Sequence, residues 1–81
     1  MTHLDVDAIR RYIRTELLND ETLEIGPDQD LLLSETLDSL NVVRLVAHLE
    51  AEAGIDIPAQ DVTLENFATL QKIEAYLASR T

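Results

Sequence analysis

The chain has 81 residues, no cysteine, two glycines, two prolines and a formal net charge of −10 at pH 7. That length fits one domain spanning residues 1–81 with a modest core, and the missing cysteine excludes disulfide frameworks and thiolate metal sites. The charge argues against nucleic-acid binding, which needs Lys and Arg to neutralise phosphates, and a chain rich in Ala, Leu and Glu with so few turn residues favours helices over strands.

The opening Met1-Thr2-His3-Leu4-Asp5 has no basic region followed by an apolar core, so a signal peptide is not expected. No apolar run approaches the roughly 18 residues of a membrane span. The expectation is a cytoplasmic monomer. Charge is unevenly placed: Arg10, Arg11 and Arg14 sit together, whereas Asp20 to Glu65 holds twelve acids and one base, Arg44. Such a field would draw in a basic partner surface; solubility is the simpler explanation.

A first helix is expected from about Asp5 to Asn19, because Val6, Ile9, Ile13 and Leu17 recur on one face. Tyr12 flanks that stripe, and Thr2 or Asp5 would cap the start. A long connection follows to Asp38, with Gly26-Pro27-Asp28 as a turn signal. Connections this long in a small domain are often functional. Leu23 and Ile25 are expected to pack on the first helix, and Leu31, Leu32 and Leu33 to pin the loop to the core.

The second helix should run from Ser39 to Ala53, ended by Gly54 as a left-handed cap. Placing side chains at about 100° per residue puts Val42, Leu45, Val46, Leu49 and Ala53 on one face. Leu40, Val43 and Ala47 form a second apolar stripe that the same face cannot bury. Arg44, His48 and Glu52 take the far side. A helix with two apolar stripes either lies between layers or shows one stripe to a partner.

Ile55-Asp56-Ile57-Pro58 reads as extended chain. A short helix from Thr63 or Leu64 to Phe67 follows, with Thr63 as its cap. Thr69 would cap a last helix from Leu70 to about Ser79, buried through Leu70, Ile73, Tyr76 and Leu77. The outline is an all-α bundle of three main helices, one short helix and one long ordered loop.

The residue with the most chemistry on offer is Ser39, at the head of the second apolar stripe. A serine hydroxyl is a weak nucleophile until a base takes its proton. His48 lies nine residues further along the same helix, about 13 Å up its axis and about 180° around it. Nothing in the sequence positions His3, and no G-x-S-x-G elbow is present. Ser39 is thus a poor catalytic nucleophile and a good acceptor of a group installed by another enzyme. Asp28 and Asp30 resemble the start of a calcium loop, but no glycine or closing glutamate follows at the required spacing, and both histidines read as surface residues rather than ligands. Asp38-Ser39 alone reads as a helix cap, which would leave an acidic helical adaptor with no prosthetic group.

The pair does not stand alone. Leu37-Asp38-Ser39-Leu40 resembles the phosphopantetheine attachment motif of the acyl carrier protein family. The resemblance continues through Val42 to Glu50, through Gly54-Ile55-Asp56-Ile57-Pro58, and into Thr69-Leu70-Gln71-Lys72-Ile73. It implies a small acyl-carrier-like helical bundle whose Ser39 receives 4′-phosphopantetheine from coenzyme A through a phosphopantetheinyl transferase. The arm's thiol would hold an acyl or aminoacyl group as a thioester, making the chain a non-catalytic substrate of partner enzymes. Those partners would be a loading ligase and downstream synthases or transferases with basic docking surfaces. Leu40, Val43 and Ala47 match positions where the family shows apolar docking residues, Asp38 would help recruit the transferase, and Arg44 stands with them in the expected partner interface. Thr36 and Leu37 stand where fatty-acid carriers usually have Gly and a small residue, and Asn41 and Arg44 replace frequent acids. The Leu-Asp-Ser form is similar to D-alanyl carriers and to discrete carriers of secondary metabolism.

Overall fold

The computed structural model describes residues 4–80 and contains helices and connecting turns, with no strand among the described residues. The first helix, α1, spans Val6–Tyr12 and continues into a π-helical turn, Ile13–Leu17. Asp5 caps it: its backbone is extended and Oδ1 accepts the Ala8 amide at 2.8 Å. The alternative cap, Thr2, lies outside the described residues.

The π turn corrects the expected uniform α-helix, and Thr15 supplies a reason. Its hydroxyl donates to the Arg11 carbonyl at 2.7 Å and competes for an acceptor the α-helical ladder would use. The chain widens so that the Leu18 amide reaches Ile13 O at 2.9 Å and the Asp20 amide reaches Arg14 O at 2.8 Å. Asn19, at φ 51°, ends the helix.

The connection from residue 20 to 38 holds no helix and is ordered by specific bonds. Arg10 Nε donates to Ile25 O at 2.8 Å, the Leu31 amide to Ala68 O at 2.6 Å, and the Gln71 amide to Pro27 O at 3.0 Å. Ile25, Leu31 and Leu37 are buried, and Leu23 and Leu32 are half-buried against the core. Leu33 departs from expectation: it is 72% exposed. Asp30 Oδ1 accepts the amides of both Leu32 and Leu33, folding a tight turn there that leaves the Leu33 side chain in solvent.

Helix α2 spans Ser39–Ala53, as the sequence predicts. Gly54 closes it at φ 68°, with its own amide and that of Ile55 both donating to Glu50 O. Ile55 to Pro58 is irregular chain, followed by an unforeseen 3₁₀ turn, Ala59–Asp61. The short helix α3 spans Leu64–Phe67 and α4 spans Leu70–Arg80. Thr69 Oγ1 caps α4 through the Lys72 amide at 3.1 Å. Thr63 precedes α3 without a side-chain cap; its carbonyl takes the Asn66 and Phe67 amides instead.

The core lies where α1, α2 and α4 meet. Ile9, Ile13, Leu45, Leu49, Leu70 and Ile73 are each fully buried, with Phe67 packed against Tyr76 at a ring separation of 5.4 Å. Leu45 and Leu49 carry the inward face of α2, while Val42 and Val46 are half-buried at its edge.

Candidate functional site

Ser39 is the first residue of α2 and is exposed. The capping role belongs to Asp38, whose backbone is extended and whose Oδ1 accepts the Asn41 amide at 2.8 Å. Asp38 O also takes the Val42 amide. The pair therefore divides its labour: one residue fastens the helix, and the other has its hydroxyl left over. Among the described residues nothing hydrogen-bonds the Ser39 hydroxyl, and the amides of Ser39 and Leu40 have no protein acceptor. This is the positive end of a 15-residue helix, with unpaired N–H groups beside the hydroxyl.

Among the described residues no internal base serves that hydroxyl. His48 is not the surface residue expected from the sequence: it is half-buried, and its ring stacks on Tyr12 with centroids 3.6 Å apart and planes 7° from parallel. This joins α2 to α1 on the side turned away from Ser39. His3 lies outside the described residues. The Asp30 carboxylate is spent on the loop turn, and the Ser34 hydroxyl bonds to Asp30 O.

The second apolar stripe is open to solvent. Leu40 is 67% and Val43 64% exposed, and Asp38, Arg44 and Ala47 are exposed with them. Beside this stripe runs an apolar groove enclosing about 360 Å³, lined by Val42, Val43, Val46 and Ala47 of α2, by Ile57, Ala59 and Val62 across from them, and by Glu50. Its α2 residues follow Ser39 at spacings of three, four, seven, eight and eleven, the positions that share one helix face. The α2 wall of the groove therefore lies on the same helix face as Ser39 and begins about one turn beyond it. Glu50 is fixed in its wall by the Ile57 amide, which donates to Oε2 at 2.9 Å. The sequence reading missed Ile57, Ala59, Val62 and Glu50 as lining residues. The helical spacing from Ser39 was a signal for the Glu50 position; the other three depend on how the chain returns after Gly54.

Electrostatic perturbation lies away from Ser39. The Tyr76 hydroxyl is held above its usual range by burial and by donating to Asp61 Oδ2 at 2.7 Å. The Asp20 carboxyl is held below its usual range by the Thr22 hydroxyl and amide. Neither group is placed to act on the serine.

Three comparisons bear on this geometry. The family model described as "Phosphopantetheine attachment site" matches residues 7–77. The D-alanyl carrier protein of Latilactobacillus sakei is 31% identical over 72 residues, 89% of this chain and 92% of that protein. The acyl carrier protein of Aster yellows witches'-broom phytoplasma is 37% identical over 78 residues, 93% of this chain and 95% of that protein. Among solved structures, a chain from the crystal structure of an FAD-dependent dehydrogenase superposes with TM-score 0.77 at 28% identity, covering 85% of this chain and 97% of that one.

Proposed function

The chain belongs to the phosphopantetheine attachment site family, and from that premise we propose that Ser39 is the residue that bears the arm. The protein is a carrier that holds an acyl or aminoacyl group as a thioester on covalent 4′-phosphopantetheine. The observation behind the assignment is the exposed hydroxyl at the first residue of α2, without a hydrogen-bond partner among the described residues and released from capping by Asp38.

The residues fit the group. An incoming phosphate diester at Ser39 would sit beside the free amides of Ser39 and Leu40, at a helix end that favours anions. Within a transferase, the Ser39 oxygen would bond to the phosphorus that carries pantetheine. The pyrophosphate P–O bond would break, 3′,5′-ADP would leave, and the hydroxyl proton would pass to a base of the transferase, since among the described residues no base reaches Ser39. Once bound, the arm supplies a thiol for thioester formation. The chain's own part is to present the attachment point, offer the stripe of Leu40, Val43 and Ala47 for docking with Asp38 and Arg44 beside it, and shelter cargo in the groove along α2. A tethered substrate reaches successive enzymes at high effective concentration.

On this reading residues 1–81 form one cytoplasmic, monomeric, non-catalytic carrier domain, acted on by a phosphopantetheinyl transferase, a loading ligase and downstream synthases or transferases whose basic surfaces its acidic field attracts. The D-alanyl carrier relative supports an aminoacyl cargo, loaded by an adenylating ligase, as the alternative to the acyl cargo that the acyl carrier relative supports. Intact-mass measurement after incubation with coenzyme A and a broad-range transferase is the test. One phosphopantetheinyl group is gained, and Ser39→Ala gains none; a gain that survives Ser39→Ala overturns the assignment.

A further inference from the structure

The exposed face of α2 carries a charge opposite to that of the molecule. Taking Ser39 as zero, Val43, Leu40, Ala47, Ala51 and Arg44 fall between about 40° and 140° around the helix, and all five are exposed. No carboxylate lies in that strip, although the chain holds sixteen acidic residues. The two acids of α2 are elsewhere: Glu50 lines the groove and is bonded by the Ile57 amide, and Glu52 lies about 80° beyond Arg44. Arg44 is four residues after Leu40, one turn along the helix from its most exposed leucine. Its one bond is from Nη2 to the Glu16 carbonyl at 3.3 Å; among the described residues it forms no ion pair. A guanidinium left with free donors beside an apolar patch suits a planar carboxylate on a partner.

Resting on the reading of Ser39 as the attachment residue, we propose that the enzyme surface docking on α2 is apolar opposite Leu40 and Val43 and presents a carboxylate to Arg44. The acidic field of the carrier steers encounter with basic regions outside this strip, whereas Arg44 sets which enzymes can close on it. A partner that instead places lysine or arginine against α2 meets a like charge there, which is a means of rejecting enzymes built for acidic carriers.

The probe is the phosphopantetheinyl transferase of the source organism, which must close on the start of α2 to reach Ser39. Modification kinetics with coenzyme A are measured for the wild type, Arg44→Lys and Arg44→Glu, with thermal melts alongside. Arg44→Glu is expected to lower kcat/KM by about tenfold or more, chiefly through KM, while Arg44→Lys, which keeps the charge and loses the planar fork, falls between Arg44→Glu and wild type. Both variants keep the wild-type melt, since Arg44 is exposed and makes one long bond. An unchanged or faster reaction for Arg44→Glu overturns the inference while the attachment reading stands. A wild-type chain that gains no mass overturns the attachment reading and this inference with it.

Discussion

Two adjacent side chains at the start of α2 hold unlike jobs, and substitution separates them. Asp38→Ala removes a bonded N-cap and is expected to cost about 1 kcal/mol of stability. Ser39→Ala removes a hydroxyl with no protein partner and is expected to leave the melt close to wild type while abolishing modification; paired denaturation curves check both. Tyr76 gives the pH dependence of the fold. Burial and the Asp61 carboxylate favour its neutral form, raising it above the ordinary tyrosine value of 10.0. A group raised on folding stabilises fully below that value and loses its contribution as pH climbs through the raised one. Tyr76→Phe is therefore expected to be less stable than wild type near neutrality by about 1 kcal/mol, the worth of one hydrogen bond. That gap should narrow above pH 10, and melts across the alkaline range measure it.

At the scale of elements, α2 was legible in the sequence from cap to cap, because Asp38, the apolar period and Gly54 all specify the same boundaries. α4 was legible through Thr69 and the Leu70, Ile73, Leu77 stripe. The π turn was not, since Thr15 looks like any helical surface residue until its hydroxyl takes a backbone carbonyl. Leu33 misled for a related reason: three consecutive leucines read as core, and only the Asp30 turn decides which one faces water. The candidate site divides the same way. Ser39 and the exposed stripe follow from periodicity on one helix, whereas the far wall of the groove depends on tertiary return. The Gly54 cap is testable at this scale. Nothing lies within 4 Å of a Cβ built there, so Gly54→Ala meets left-handed backbone strain without a clash. A loss of about 1 kcal/mol is expected, read from denaturant midpoints.

For the whole molecule, the balance of charge and burial governs behaviour. A net charge of −10 on a body with a radius of gyration of 11.5 Å repels itself. Among the described residues a single ion pair, Arg10 with Asp7, offsets it locally. Raising ionic strength from about 0.01 M to 0.15 M shortens the screening length from roughly 30 Å to 8 Å, so the melting temperature is expected to rise across that range; a scan in sodium chloride at neutral pH checks it. The same small body must present its cargo to several enzymes without losing its packing. The Tyr12–His48 stack offers a view of that process from inside. With the two rings nearly parallel and in contact, the imidazole protons of His48 sit in the shielding region of the phenol. Any cargo-driven parting of α1 from α2 would move the His48 ring resonances downfield, giving the unlabelled protein its own magnetic reporter of loading.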